Sequence, residues 1–252
     1  MYTKQDLMQH LANIGINPNG TLKVHLSCKA VGVVEGRADT ILDALMTYMK
    51  DGLLVLAAHT WNNVREGYQH NPVMDVLHTP SCVGIVTELF RKREGVYRSL
   101  HLTHSVAAYG LAAEEFVSGE EKIGTPCGKG GAYYKLWERN AQILLIGIDF
   151  ARNTFIHGLE EWDGGSEHTI SKNKSDLYVI TPEGKRLYTP QYRHCAHLGS
   201  ETFSKLEPQA IQEGILTLGK FGDATTRLMN AKDLRELVAN RLKEDPKYLL
   251  GY

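Results

Sequence analysis

Ile143, Leu144, Leu145 and Ile146 form an unbroken apolar run that ends at Gly147 and Asp149, within the stretch ILLIGIDFARNTFIHGLEE. A short run with no polar residue on either face reads as a strand covered on both sides, and the polar residues after it mark where that strand leaves its sheet. Asn153 or Thr154 then supplies a helix N-cap. On a helix beginning near Phe155, His157 and Glu160 stand three residues apart and share a face, so the carboxylate can hold or charge the imidazole. A His oriented by a carboxylate at the mouth of a sheet suits general-base chemistry near neutral pH. Spacing alone leaves a second reading open, a helix start whose His157 and Glu160 are merely solvated.

The preceding segments repeat a strand, helix, strand rhythm. Thr3 with Asp6 predicts a capped helix ending at Gly15, and 21–26 predicts a strand that delivers His25, Leu26, Ser27 and Cys28 to a loop closed by Gly32. A helix over 39–49 leads into the buried strand LLVLAA, which ends at His59 and Thr60. The rhythm predicts a largely parallel sheet with its functional residues beyond the carboxyl ends of the strands. Residues 61–80 read as a long polar surface loop, 82–93 as a helix, and Val96-Tyr97 as a short extended piece.

Arg98, Ser99, His101, Thr103, His104 and Ser105 follow, a dense set of partners for anions and hydroxyls, or else a polar loop before a strand. The glycine-rich turn GTPCGKGG over 124–131 lets backbone approach a ligand but has neither Walker nor GxGxxG spacing. A helix over 133–138 precedes the apolar run. Beyond Trp162, residues 163–174 are polar, 178–188 read as a β-hairpin extended to 197 as an antiparallel subdomain, and 203–211 and 231–242 read as surface helices.

At 252 residues the chain is long enough for one large α/β domain or two small ones, and 42% apolar with 23% charged residues is globular composition. Twenty-eight basic against twenty-nine acidic residues leave a net charge of -1, with no basic run to track a phosphate backbone, so nucleic acid is not an expected partner. No apolar run is long enough for a bilayer, and the expectation is no membrane partner. Cys28, Cys82, Cys127 and Cys195 show no CxxC spacing, and no leader pattern opens the chain, which predicts reduced thiols and a cytoplasmic location.

Four blocks in order carry a resemblance: HLSCKAVG over 25–32, TPSCVGIVTELFR over 79–91, GVYRSLHLTHSVAAYG over 95–110, and the stretch 143–161. With these the sequence resembles the aminoglycoside 3-N-acetyltransferase (antibiotic N-acetyltransferase) family, near its small Bacillus-type members, over nearly the whole chain. The family's NTxxHxxE pattern falls on Asn153, Thr154, His157 and Glu160. The resemblance implies a single domain over 1–252, a three-layer α/β/α sandwich around a central mixed sheet, unlike the GNAT acetyltransferases, with a small antiparallel extension over about 175–200.

It implies an acyltransferase linked to antibiotic resistance. Acetyl passes from acetyl-CoA to the 3-amino group of a 2-deoxystreptamine aminoglycoside by direct attack, with His157 as base, Glu160 orienting it, and no metal. His25, Leu26, Ser27, Cys28, Arg98, Ser99, His101 and Ser105 would contact the coenzyme, Arg98 through a phosphate. Backbone N–H groups or a hydroxyl near Ser27 and Cys28 would face the oxyanion. Asp75, Asp149 and Glu161 would line the acceptor site, and His194-Cys195 falls where the family's second part approaches the acceptor. The partners are acetyl-CoA and a small amine, in a monomer or homodimer.

Leu26-Ser27 and Gly131-Ala132 depart from the family's usual Ser-Ser and Ser-Pro, which keeps a coenzyme-binding protein acting on a different amine, or one without activity, as the alternative. A metal-dependent hydrolase using His157 with Glu160, or His101 with His104 and His59, is a lesser one, without an HExxH motif. Cysteine acyl transfer through Cys28, Cys127 or Cys195 competes with small buried thiols.

Overall fold

Thr3 opens the first helix as its sequence predicts. Its hydroxyl accepts the Asp6 N–H at 3.2 Å, Asp6 Oδ2 accepts the Thr3 N–H at 2.9 Å, and Gly15 closes the helix at φ +90°. The structure, a computed structural model, describes residues 1–64, 70–164, 166–195 and 200–250. This helix, α1 (Lys4–Ile14), is followed by β1 (Thr21–Leu26), α2 (Ala38–Tyr48) and β2 (Leu53–Ala57).

β1 is the centre of the molecule. It pairs in parallel with β2 on one side and with a strand 142–146 on the other, so that Val24 lies opposite both Leu56 and Leu144. Side chains alternate across the sheet: Leu22, Val24, Leu54, Leu56, Leu144 and Ile146 join the apolar layer of α1 and α2, whereas Val55, Ile143 and Leu145 face the opposite layer. Lys23 and His25 lie opposite Ile143 and Leu145 and so belong to that second face. Fully burying each such aliphatic side chain stabilises the fold by about 1.5–3 kcal/mol before entropy is counted.

The strands and helices between are β3 (Val73–Asp75), α3 (Ile85–Phe90), β4 (Val96–Arg98), β5 (Val106–Gly110), α4 (Ala113–Val117), α5 (Ala132–Glu138) and β6 (Gln142–Ile146). Beyond them come α6 (Phe155–Asp163), α7 (Ser166–Thr169), β7 (Tyr178–Ile180), β8 (Arg186–Tyr188), α8 (Glu207–Gln212), β9 (Thr217–Phe221), β10 (Ala224–Asn230) and α9 (Ala231–Glu244). The central sheet has seven strands in the order β4-β5-β2-β1-β6-β10-β9. The second layer holds residues of α5, α6 and α9, completing an α/β/α sandwich around a mixed sheet.

Several local readings change in the folded chain. The strand and helix rhythm predicts a largely parallel sheet, but in the central sheet, among the described residues, only β2, β1 and β6 run in parallel, and antiparallel strands extend both sides. β9 and β10 lie outside the sequence expectations, since 217–221 is half exposed and lacks a clean alternation; the local signal for them is the Gly222-Asp223 turn, with Gly222 at φ +59°. The helix expected over 82–93 shrinks to α3, since Gly84 at φ +114° and the Ser81 N–H bonded to Glu88 hold the preceding residues in a loop.

Pro208 starts α8 afresh after a 3-10 segment, Glu201–Leu206, and Phe203, Leu206 and Ala210 are buried, so 203–211 is not a surface helix. The expected loop over 61–80 contains β3, which pairs in parallel with β7, while β7 and β8 form the expected hairpin. The extension is thus a three-stranded mixed sheet, and its last strand ends at Tyr188; His197 lies outside the described residues. Among the described residues no helix is long and apolar enough to cross a membrane.

Candidate active site

β6 stops abruptly because Gly147, at φ +66°, passes so close to Ala30 that a side chain there would meet the Ala30 Cβ. The chain turns through a 3-10 segment capped by Asp149, whose Oδ1 accepts the Ala151 N–H at 3.1 Å. Buried Asn153 then accepts the Phe155 N–H at 3.3 Å, and α6 starts. This places His157 and Glu160 on one helical face beside the carboxyl ends of β1 and β2, with Nδ1 of His157 2.9 Å from Oε2 of Glu160.

The His157 side chain is 18% exposed and that of Glu160 3%. A buried carboxylate only accepts hydrogen bonds, so it fixes the proton on Nδ1 and leaves the Nε2 lone pair available as a base. Phe203 packs edge-on against the ring at 4.8 Å and fixes its plane.

A file of imidazoles extends from this pair. The His157 ring lies 4.4 Å from that of His194, His194 lies 4.9 Å from His104, and His104 lies 4.7 Å from His59. His59 Nε2 shares a 2.7 Å hydrogen bond with the buried Tyr133 hydroxyl. Burial, and then neighbouring basic side chains, push His25, His59 and His104 well below the ordinary imidazole range. Burial likewise holds His101 at about 4. These rings are neutral at physiological pH.

The glycine-rich turn is tied to the same helix. Glu161, next to Glu160 but turned about 100° around the helix, accepts the Thr125 hydroxyl at 2.6 Å and the Cys127 N–H at 2.9 Å. His101 Nδ1 accepts the His104 N–H at 3.0 Å, so its Nε2 proton is directed to Thr125 O at 3.0 Å. Cys127, buried beneath the turn, has its thiol pushed well above the ordinary range by burial and then by Glu161 and Glu120. A buried neutral thiol is a packing group rather than a nucleophile.

These elements surround a cavity of about 770 Å³ whose walls include His25, Leu26, His59, His104, His157 and His194. Of the predicted coenzyme contacts, His25 and Leu26 therefore line it. Ser27 and Cys28 do not; Cys28 packs with the α1 and α2 layer. Arg98 spends its guanidinium on main-chain oxygens, donating to Thr79 O at 2.6 Å, Ala58 O at 2.7 Å and Val76 O at 3.2 Å, and burial lowers it to about 10. Ser99 accepts the Val106 N–H, Ser105 donates to Ala58 O, and His101 holds Thr125, so all three brace the β4–β5 and β2 ends behind the wall.

The predicted acceptor residues disperse. Asp75 caps the turn after β3 by accepting the Leu77 and His78 N–H groups, Asp149 caps its 3-10 segment, and Glu161 is drawn inward. The charged residues that do line the cavity, among those described, are Arg152, Arg193 and Glu201. Arg152 and Glu201 were missed because each sits in a short 3-10 segment with no periodic signal, whereas His59 was legible as a strand-end histidine, His104 as part of the polar segment before β5, and His194 only by position. Among the described residues no three His, Cys, Asp or Glu side chains are grouped to hold a metal ion.

Comparison with known proteins extends this geometry. The model of a family described as aminoglycoside 3-N-acetyltransferase matches residues 24–243. The chain is 26% identical to the SPbeta prophage-derived aminoglycoside N(3')-acetyltransferase-like protein YokD of Bacillus subtilis (strain 168), covering 90% of this chain and 88% of that protein. Two solved structures share the fold. AAC-IIIb in a binary complex with CoASH superposes with TM-score 0.82 at 21% identity, over 96% of this chain and 97% of that one. A mutant of aminoglycoside acetyltransferase AAC(3)-IVa in complex with a gentamicin gives TM-score 0.81 at 23% identity, over 100% and 92% of the two chains.

Proposed function

The chain belongs to the aminoglycoside 3-N-acetyltransferase family, a family of acyltransferases, and from that premise we propose that it moves the acetyl group of acetyl-CoA to the 3-amino group of a 2-deoxystreptamine aminoglycoside, with His157 as general base. One observation carries the assignment: the His157 Nδ1 to Glu160 Oε2 contact of 2.9 Å at the wall of the cavity. Bound CoASH and gentamicin in two proteins of this fold support a site for each substrate.

The neutral amine attacks the thioester carbonyl, and the new C–N bond makes the nitrogen acidic. His157 Nε2 takes that proton as the bond forms, and Glu160 stabilises the imidazolium. Collapse of the tetrahedral intermediate breaks the C–S bond, and the same proton passes to the thiolate. The coenzyme lies along the strand ends against His25 and Leu26, and the exposed Arg152 at the cavity is placed to meet a phosphate.

One observation favours a second reading, the same chemistry on a less highly charged amine. Of the charged residues lining the cavity, among those described, two are arginines and one is acidic, a poor match for a polycation. Thiol release from acetyl-CoA, measured across deoxystreptamine aminoglycosides and simple amines, tests both. Release with an aminoglycoside supports the first reading; release only with monoamines supports the second; binding of coenzyme without release from any acceptor overturns both.

A further inference from the structure

The two adjacent carboxylates of α6 each back an imidazole at the cavity. Glu160 holds His157 of its own helix, and Glu161 Oε1 stands 3.3 Å from Nε2 of His194, an ion-pair distance just off the line of a hydrogen bond. The two pairs are alike in exposure: each imidazole side chain is 18% exposed, with carboxylates of 3% and 4%. Their rings lie 4.4 Å apart, tilted by 38°, and both line the cavity. Glu161 faces Nε2 of His194, so a proton carried there lies against the carboxylate and Nδ1 is the nitrogen left to accept one.

The reaction needs two such sites. An alkyl ammonium must lose one proton before its nitrogen can attack, and the nitrogen loses another as the C–N bond forms; the thiolate takes back one of the two. Resting on the acetyl-transfer reading above, we propose that His194, backed by Glu161, is the second acid–base residue, which takes the first proton from the bound acceptor ammonium.

The steps balance. The ammonium N–H bond breaks to His194 Nδ1, leaving the neutral amine, and His194 passes that proton to water through the cavity. The amine lone pair forms the C–N bond and the carbonyl π pair moves to oxygen. His157 Nε2 then takes the second proton. The C–S bond breaks, its pair stays on sulfur, and His157 returns its proton to give the thiol, so the net products are amide, thiol and one proton. The order matters, because two imidazoliums at ring contact repel.

The groups facing His194 fit this role. His157, Glu160 and Glu161 face it from α6, His104 in ring contact and His101 from the polar segment, His59 from the end of β2, and Arg193 and Cys195 flank it. Burial, followed by His157, holds it below the ordinary imidazole range while Glu161 pulls it back up, so it enters the cycle neutral.

The test is the pH profile of kcat/KM for thiol release, with an alkylamine acceptor that the wild type uses, in His194→Asn and His194→Gln. The expected deficit is roughly tenfold or more at pH 7, shrinking to within about twofold near the amine's own pKa, where solution supplies the neutral amine. His157→Asn keeps its deficit throughout. A His194 deficit of the same size at every pH, or none at pH 7, overturns the proposal; a variant that fails to fold is replaced by the other. Absence of transfer by the wild type instead overturns the reaction reading on which the proposal rests.

Discussion

Glu161 Oε2 accepts the Thr125 hydroxyl at 2.6 Å across 36 positions of the chain, which makes this carboxylate a strut between α6 and the glycine-rich turn. It also accepts the Cys127 N–H, and burial around it is nearly complete. Glu161→Gln replaces one acceptor by a donor, leaving a buried partner unsatisfied at a cost of about 1–3 kcal/mol. Chemical denaturation at pH 7 should therefore show a lower midpoint with an unchanged slope. A midpoint equal to wild type would mean that the turn is held by other bonds.

His157→Ala removes the base but only a partly exposed side chain from the core. Transfer should drop by roughly 10²–10⁴-fold, while the variant folds and binds acetyl-CoA as the parent does. Glu160→Gln should cost at least about tenfold in kcat/KM, because an amide holds the ring without stabilising its charge. Steady-state thiol release together with coenzyme titration by calorimetry separates chemistry from binding. Parental rates in His157→Ala would remove His157 from the mechanism.

Lys23 is buried on β1, its Nζ has no hydrogen-bond partner among the described residues, and burial lowers it to about 7. The folded state thus binds fewer protons than the unfolded state between about pH 7 and 10.5, so this group makes stability rise with pH over that window, and its penalty is complete below it. Lys23→Met should raise stability at neutral pH by about 1–4 kcal/mol and flatten the alkaline rise. Urea unfolding at pH 6.5, 8 and 9.5 reads both effects. A variant that keeps the wild-type slope against pH would assign the rise to another group.

Gly147 ends β6 in a left-handed conformation against Ala30, with Ala224 also near. Gly147→Ala adds a methyl where no room exists and strains the backbone, a loss of about 1–3 kcal/mol. Adding Ala30→Gly in the same background should recover part of the thermal midpoint, since it removes the facing methyl. No recovery would place the whole cost in the backbone strain.

What the sequence by itself determined is local. The Thr3–Asp6 box, the β6 run and the spacing of His157 and Glu160 depend on hydrogen bonds and side-chain directions within a few residues, and all three stand in the fold where their residue types place them. The four sequence blocks carried the resemblance to the family, and the layered architecture came with that resemblance rather than from the blocks themselves.

Only the tertiary structure decided which of the remaining polar residues meet. Arg98, Ser99 and Ser105 have the chemistry of ligand contacts, yet strand pairing turns them onto main-chain groups of β2, β5 and the turn after β3. Glu161 differs from Glu160 by one position, and that rotation around the helix sends it to Thr125, Cys127 and His194 instead of His157. Contacts between residues so far apart in the chain follow from sheet register and loop closure, which place whole elements. No short window of sequence carries that information.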